Sequence, residues 1–170
     1  MLTDSSLFRR IELQMLMNLT ARAIGRPSRR IWILSNERAL QVYAEFTRDQ
    51  LRPGVNDEVL RRMNEEAFKM GRRLRRLFML RQPADIERFI VALYRNIGID
   101  IEGHVPGSLC FRRCFFSQFY TPAICRVASA LDDGIICGLA GGGRLVFSQR
   151  ITEGHPHCVA SVGNHSEEQV

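Results

Sequence analysis

The chain has 170 residues, 45% of them hydrophobic and 25% charged, with 24 Lys and Arg against 18 Asp and Glu. This composition is ordinary for a folded globular domain and excludes disordered, collagen-like and mucin-like chains. No run of about 18 apolar residues occurs, so we expect no transmembrane helix and no membrane partner. The N-terminus lacks the pattern of a signal peptide, and five cysteines without such a signal predict free thiols in the cytoplasm.

Charged residues, cysteines, histidines and glycines are distributed unevenly along the chain. Residues 1–81 carry 17 Lys and Arg and 9 Asp and Glu, whereas residues 82–170 carry 7 and 9. All five cysteines, all four histidines and ten of the thirteen glycines lie in the second half. We therefore expect a single domain, residues 1–170, in which any reactive site follows residue 100.

Two helices are predicted before residue 52. The first covers residues 7–24, where apolar residues recur at a spacing of four and would form its buried face. These residues are Leu7, Ile11, Met15, Leu19 and Ala23. The second helix begins after Ser35, a good N-cap residue, and ends at Leu51, before Pro53 and Gly54.

A third helix, residues 57–80, is predicted after the cap residue Asn56 and is rich in arginine. Apolar residues at alternating spacings of three and four form a seam that would pack inside the monomer or across a homodimer. The seam consists of Leu60, Met63, Ala67, Met70, Leu74 and Leu77, and the arginines are Arg61, Arg62, Arg72, Arg73, Arg75 and Arg76. Clustered arginines can neutralise nucleic-acid phosphates, but three glutamates interrupt this cluster and lysine is nearly absent. We therefore expect a solvated helix face rather than a nucleic-acid partner.

A fourth helix is predicted from Pro83 to Gly98, with one apolar face turned inward. That face consists of Ile86, Phe89, Ile90, Leu93 and Ile97. After Gly98 the apolar residues alternate, in 99–102 and again in 109–115, which predicts a β-hairpin. Thr121, which is followed by a proline, then predicts the start of a fifth helix.

The last part of the chain predicts two more strands, at 144–151 and 157–162, followed by a loose tail, 163–170. The four strands and the helix among them have the order β-β-α-β-β. We therefore predict an α+β fold in which a helical part, residues 1–98, packs on a four-stranded antiparallel sheet. The ββαββ part, residues 99–162, would carry the site.

Several groups on or near the predicted fifth helix suggest chemistry. Cys125 would lie in the first turn, where unsatisfied N–H groups and the helix dipole favour a thiolate and hence a nucleophile. Asp132 falls on the same helix face, where it would orient a base or bind an amine, or be an ordinary solvent-facing charge. His157, beside Cys158 on the last strand, is a natural general base. Burial as a small hydrophobic residue is an equal alternative for Cys125 and Cys158, and we expect it for Cys137.

The cysteine spacing matches no standard zinc motif, since the chain has no C-x₂-C pair. The alternative is a site assembled in three dimensions from Cys114, Cys125, His157 and Cys158. Such a set of thiolates and an imidazole would suit zinc or iron. Cys110 and Cys114 have an even spacing on one predicted strand, so we expect them to point to the same side of the sheet.

Residues 125–158 form an ordered series of chemically distinctive positions. The series is Cys125, Asp132, the helix-ending Gly138, the basic strand Arg144–Arg150, and Glu153-Gly154 followed by Cys158. It resembles the C-terminal half of the L-2-amino-thiazoline-4-carboxylic acid hydrolase family, over residues 85–162. The ending T-E-G-H-P-H-C is also similar to that of 4-vinyl reductase domains, which are small-molecule-binding α+β modules. Ser129 stands where many members of the hydrolase family have a second cysteine, and the run GLAGGG is not typical of them, which allows a different substrate.

The first resemblance implies hydrolysis of a ring C–N bond in a small cyclic amidine such as 2-aminothiazoline-4-carboxylate, without a cofactor. Cys125 would be the nucleophile, His157 the proton shuttle and Asp132 the residue that orients it. The substrate-binding residues would be Arg144, Arg150 and Glu153, with an arginine on the substrate carboxylate. The second resemblance implies a module that binds a small molecule or a metal without turnover. We rank the hydrolase first, the binding module second and a nucleic-acid binder third.

Overall fold

The structure, a computed structural model, describes residues 6–52 and 55–163. Within them, four helices precede a four-stranded sheet, and a fifth helix follows the second strand of that sheet. The elements are α1 (Ser6–Ala23), α2 (Asn36–Leu51), α3 (Asp57–Leu77), α4 (Pro83–Asn96), β1 (Ile99–Gly103), β2 (Gly107–Cys114), α5 (Pro122–Ala140), β3 (Arg144–Gln149) and β4 (Cys158–Gly163). None of these helices combines the length and the apolar character that crossing a membrane requires.

The α+β class predicted from the sequence is confirmed, with helices first and strands after them. The predicted β-β-α-β-β order is not matched exactly, because two short 3₁₀ helices interrupt it. They cover Phe115–Gln118, between β2 and α5, and Ile151–Glu153, between β3 and β4. The predicted tail begins one residue too early, since Gly163 belongs to β4, and residues 164–170 lie outside the described residues.

The four strands pair antiparallel in the spatial order β1-β2-β4-β3. The outer face of the sheet carries exposed ion pairs, between Arg112 and Glu102 (2.6 Å) and between Arg113 and Asp100 (3.3 Å). The inner face packs against the helices through buried side chains. These are Ile99, Ile101, Leu109, Phe111, Leu145, Ala160 and Val162. The inner face of the sheet is buried against the helices, whereas the outer face is exposed to solvent. Any enclosed site must therefore lie on the helix side of the sheet.

A β-bulge in β2 corrects the predicted placement of two cysteines. The register between β1 and β2 shifts between Phe111 and Arg113, so that Arg112 is an extra residue in β2. Both arginines are exposed, and Cys114 after them points inward, as Phe111 does before them. Cys110 precedes the bulge and lies on the outer face. The prediction that Cys110 and Cys114 point to the same side is therefore wrong, because the bulge resets the alternation.

Helix α5 lies in backbone contact with α3 and also touches α2, α4 and β3. Thr121 caps its N-terminus, accepting a hydrogen bond from the N–H of Ile124 (3.3 Å), and Gly141 ends it in a left-handed conformation. Three glycines permit the close contact with α3, namely Gly71, Gly134 and Gly138. A Cβ atom on any of them would overlap a carbonyl oxygen of the facing helix. The position of α5 is therefore tightly determined.

The buried face of α1 differs from the predicted one. Leu7, Ile11 and Met15 are exposed, although the later residues of the same stripe are buried as predicted. Apolar residues cover two stripes of this helix, and the stripe that contains Leu13 and Met17 enters the core. A spacing of four cannot decide between two apolar stripes, which is why the prediction failed at the N-terminal end.

The predicted seam of α3 is confirmed in its middle and wrong at its end. Met63, Ala67, Met70 and Leu74 are buried against neighbouring elements. The helix ends at Leu77 rather than at residue 80, and the Leu77 side chain is 73% exposed. The exposed end of α3 therefore presents apolar surface, as the N-terminal half of α1 does.

The arginines of α3 occur in three settings. Two of them form ion pairs with glutamates of the same helix. Arg75 donates a hydrogen bond to the carbonyl oxygen of Ala140 (2.8 Å) and so ties the end of α5 to α3. The other three, Arg72, Arg73 and Arg76, are exposed and form no ion pair with another described residue. These settings agree with the predicted solvated helix face.

Candidate functional site

A cavity of about 230 Å³ lies among α1, α3, α4, α5 and the 3₁₀ helix Phe115–Gln118. Most of its wall is apolar, with Leu16, Leu74, Leu93 and Ile135 among the lining residues. A closed apolar cavity of about 150 Å³ is enough for benzene. The cavity therefore has room for an organic molecule somewhat larger than a single aromatic ring.

The mouth of the cavity lies between α1 and the C-terminal end of α3. Ile11, Met15 and Leu77 line the cavity and are at the same time exposed, to 46%, 39% and 73%. These are the apolar residues for which the sequence predicted burial. Their exposure leaves an apolar rim around the opening, which favours entry of an apolar molecule.

Seven polar or titratable side chains face the otherwise apolar interior. They are the acids Glu12 and Asp132, the tyrosines Tyr43, Tyr94 and Tyr120, and the thiols Cys114 and Cys125. No Lys, Arg or His side chain of the described residues lines the cavity. A few polar groups converging in an apolar cavity are typical of a small-molecule site, because they orient the ligand.

Asp132 projects from the middle of α5 into the cavity. Its Oδ1 accepts a hydrogen bond from the Tyr94 hydroxyl (3.0 Å). Burial raises the pKa of Asp132 to about 6, although the Tyr94 hydrogen bond and the charge of Arg150 oppose the rise. The side chain keeps some accessible surface only because it faces the cavity. Near neutral pH it is therefore mainly ionised and available to a ligand.

Glu12 reaches the cavity from α1 and is only 6% exposed. Its Oε2 accepts a hydrogen bond from the Asn96 side chain (3.0 Å), while its Oε1 has no hydrogen-bond partner among the described residues. Burial raises the pKa of Glu12 to about 8, against the opposing influence of Asn96 and Arg9. The carboxyl group is therefore mainly protonated near neutral pH. One of its two oxygens is buried without a hydrogen-bond partner among the described residues.

Tyr94 is buried beside Asp132. It projects from α4, is 1% exposed and donates its hydroxyl hydrogen to Asp132. Burial, followed by the charge of Asp132 and the hydrogen bond to it, raises the pKa of Tyr94. Glu12 on α1 and Asp132 on α5 therefore both line the cavity, and Tyr94 holds the Asp132 carboxylate in place.

Cys125 lines the same cavity as Asp132, which confirms that the two residues share one face of α5. The Nη1 atom of Arg150 lies 3.9 Å from the Cys125 sulfur, and the Arg150 guanidinium stacks on the Phe147 ring at 4.2 Å from its centroid. Arg150 also lowers the pKa of Asp132. The predicted substrate-binding residue Arg150 therefore lies beside the cavity, behind Cys125, without lining it.

The other thiols are in protected environments. Burial, followed by the charge of Asp132, raises the pKa of Cys114 to about 12, so this cavity thiol is neutral. The Cys158 sulfur accepts a hydrogen bond from the N–H of Ile151 (3.2 Å), and burial raises its pKa. Cys137 is buried, as predicted. Its sulfur donates to Asp133 (3.3 Å), a carboxylate that also holds the N–H of residue 145 and so joins α5 to β3.

Besides Arg150, three predicted site residues do not line the cavity. Cys158 at the start of β4 is turned inward, which directs the preceding His157 to the other side, where it makes no hydrogen bond to another described residue. Arg144 is exposed at the start of β3. Glu153 forms an ion pair with Arg126 (2.8 Å) on the surface. The predicted roles of His157, Arg144 and Glu153 therefore have no support from their positions.

The predicted metal site is not assembled. Among residues 6–52 and 55–163, no group of three or more His, Cys, Asp and Glu side chains is arranged so that it would hold a metal ion. Of the proposed ligands, Cys114 and Cys125 line the cavity, Cys158 is bonded to a backbone N–H, and His157 lies elsewhere. The alternative set of Cys114, Cys125, His157 and Cys158 is therefore not brought together among the described residues.

Sequence reasoning missed Glu12 and Tyr94 because all cysteines and histidines, which predicted the site, lie after residue 100. Glu12 carries a recognisable signal, since it interrupts an apolar stretch of α1 between Ile11 and Leu13. A single acid inside an apolar helix face is expected either at a surface or beside a buried partner. Tyr94 carries no such signal, because a tyrosine in a buried helix is ordinary.

Comparisons of the chain with protein-family models, with curated proteins and with solved structures gave no match. The resemblances to the aminothiazoline-carboxylate hydrolases and to the 4-vinyl reductase domains therefore stay predictions, which rest on the residues quoted for them. Function has to be inferred from the cavity and its polar groups.

Proposed function

We propose that this protein binds a small, largely apolar organic molecule in the cavity and acts as a binding or sensing module without turnover. The observation that carries the proposal is the cavity of about 230 Å³, with its apolar wall, its apolar mouth and a few inward-facing polar groups. This function corresponds to the one implied by the resemblance to 4-vinyl reductase domains.

The physical basis of binding is the removal of apolar ligand surface from water. Each Å² of apolar surface that leaves water contributes roughly 25 cal/mol, before the cost of immobilising the ligand is subtracted. The cavity is already formed by helices that are held in place, α5 above all, so little of this gain is lost in ordering the protein. A preformed site of this kind favours binding of modest-sized ligands.

The proposal is tested with a variant whose new side chain fills the cavity. Ala128 lines the cavity from α5, and Ala128→Phe would place a ring inside it. Ala123 is exposed in the first turn of the same helix, so Ala123→Phe is the matched control. We expect saturable binding of 4-phenyl-1-butanol to the wild type and to the control in calorimetry, and at least about tenfold weaker binding to Ala128→Phe. Equal binding to all three proteins, or binding to none, would contradict the proposal.

A second candidate function is supported by one observation, the shared position of Cys125 and Asp132 on the cavity wall. A thiolate at Cys125 would add to the amidine carbon of a cyclic amidine, and Asp132, in place of the predicted histidine, would protonate the ring nitrogen as the ring C–N bond breaks. Water would then displace the Cys125 sulfur and release the ring-opened product. This would be the C–N hydrolase that the sequence resemblance implies. The absence of His157 from the cavity is the reason that it ranks second.

Cys125→Ala separates the two candidates. If the protein is a hydrolase, the wild type turns over at least one member of a cyclic amidine panel, and Cys125→Ala loses that turnover while it still binds the amidine. If the wild type binds amidines without releasing product, the hydrolase is excluded and the binding module stands. Turnover that survives Cys125→Ala undiminished would remove the nucleophile assignment.

A further inference from the structure

We propose that the cavity selects a cationic ligand, a small apolar molecule that carries an ammonium or amidinium group and places it against the acids of the cavity wall, Asp132 and Glu12. This inference rests on the proposed binding function and adds to it the chemical class of the ligand. It is carried by two carboxyl groups that reach one apolar cavity from different helices, each with an oxygen that no other described residue engages.

On each of the two acids, one carboxyl oxygen accepts a hydrogen bond from a described residue and the other does not. On Glu12, Asn96 engages Oε2 and leaves Oε1 without a partner. On Asp132, Tyr94 engages Oδ1, and no described residue donates a hydrogen bond to Oδ2. A buried acceptor without a donor is unfavourable, so a ligand that brings a donor to these oxygens gains affinity from them. An ammonium group has three donors and no acceptor, which suits a cavity wall that offers carboxyl acceptors.

Charge also favours a cation over an anion. The titratable side chains that line the cavity are acids, tyrosines and thiols, and no cationic side chain of the described residues joins them. An anionic ligand group would therefore lose its hydration beside the Asp132 carboxylate without gaining a cationic partner. Tyr43, Tyr94 and Tyr120 also line the cavity, and tyrosine rings attract a cation placed over their faces.

The protonation states of Glu12 and Asp132 agree with a cationic ligand. Burial raises the pKa of Glu12 to about 8 and that of Asp132 to about 6, so near neutral pH the pair carries about one negative charge. The charged and titratable groups that act on the two acids are Arg9, Tyr94, Asp133 and Arg150. One bound cation neutralises the remaining charge, and a cation beside Glu12 favours loss of its proton. Binding near neutral pH should therefore release protons.

The alternative is that the protonated Glu12 donates a hydrogen bond to a neutral acceptor such as an alcohol or a ketone. Three probes with the same apolar body distinguish the two cases, namely 4-phenylbutylamine, 4-phenyl-1-butanol and 4-phenylbutyrate. Their heads are an ammonium, a hydroxyl and a carboxylate near neutral pH. Affinities for the wild type are measured by calorimetry in two buffers of different ionisation enthalpy, which also gives the number of protons released.

We expect the amine to bind at least about tenfold more tightly than the alcohol, the carboxylate to bind most weakly, and only the amine to release protons. Asp132→Asn should reduce the affinity for the amine at least about tenfold and leave that for the alcohol within about threefold. Asp100→Asn, the same change on the exposed face of the sheet, should alter neither. The comparison of amine and alcohol on the wild type does not depend on whether a variant folds.

An alcohol or a carboxylate that binds as tightly as the amine, or more tightly, would overturn the cationic ligand. In that case the proposed binding function stands, provided that Ala128→Phe removes the binding. An equal loss of all three probes in a folded Asp132→Asn would also overturn the charge assignment, because a structural role of Asp132 would then explain it. If none of the three probes binds the wild type, both the binding function and the cationic ligand fail.

Discussion

At the residue scale, Glu12 is the feature that distinguishes this cavity from an ordinary packing defect. A helix that buries a carboxyl group among apolar residues, and satisfies only one of its oxygens, gives up stability at that position. Asn96 and Arg9 reduce the cost without removing it, since the pKa of Glu12 remains raised to about 8. A buried acid with a strongly raised pKa inside a cavity is typical of functional sites.

The raised pKa of Glu12 predicts how stability depends on pH. The folded protein holds the Glu12 proton up to a pH of about 8, whereas the unfolded chain releases it near the ordinary value of 4.5. The stabilisation is therefore complete below about 4.5 and is lost as the pH rises through about 8. In chemical unfolding of the ligand-free protein, the free energy of unfolding should fall by an amount on the order of 5 kcal/mol across this range.

Glu12→Gln should remove most of this dependence. The glutamine keeps an oxygen that accepts the Asn96 hydrogen bond, but it has no proton to lose. Asp132, whose pKa is raised to about 6, leaves a smaller dependence of the same sign in both proteins. Glu37→Gln, at an exposed position of α2, is the control and should behave as the wild type. An equally steep fall in Glu12→Gln would show that Glu12 is not the group responsible.

At the element scale, the contact between α3 and α5 decides where the cavity groups on α5 lie. Gly71, Gly134 and Gly138 bring the two backbones together, and Arg75 ties the end of α5 to α3 through the carbonyl oxygen of Ala140. From the sequence, Gly138 is predicted to end α5, whereas the helix continues to Ala140. Only the packing shows that the three glycines are contact residues.

Gly134→Ala should destabilise the protein although alanine favours a helix. The new Cβ would overlap the carbonyl oxygen of Asn64 and lie 2.5 Å from the Cβ of Ala67. The helix propensity gained is about 1 kcal/mol, and overpacking against backbone exceeds it, so we expect a net loss of about 2 kcal/mol in urea unfolding. Gly163→Ala, with no described atom within 4 Å of its Cβ, should change stability by less than about 0.5 kcal/mol. A Gly134→Ala variant as stable as the wild type would show that α3 and α5 are farther apart.

At the scale of the whole molecule, local signals in the sequence predicted local structure well. Ser35, Asn56 and Thr121 each accept the N-cap hydrogen bond that their residue types predict. The shared helix face of Cys125 and Asp132 followed from the helical period and is confirmed by the cavity. These features depend on a few consecutive residues, which is why one sequence suffices for them.

The features that the sequence did not predict depend on contacts between segments that are distant along the chain. The bulge at Arg112 reverses the side of the sheet on which Cys114 lies. The alternation of apolar and polar residues along β2 does not predict this bulge. The choice between two apolar stripes of α1 is made by what packs against them, and that choice brings Glu12 into the cavity. His157 was predicted as a general base because of its residue type. Its side chain lies away from the cavity because the neighbouring Cys158 side chain points inward.

The measurement that tests the binding function most directly is a titration followed through the methionine methyl signals in NMR. Met15 and Met70 line the cavity, whereas Met17 and Met63 are buried in the core outside it. A ligand with a phenyl ring shifts the signals of methyl groups that it touches. With 4-phenyl-1-butanol we predict saturable shifts of the Met15 and Met70 signals and little change for Met17 and Met63. No saturable shift, or shifts confined to the methionines outside the cavity, would contradict binding at this site.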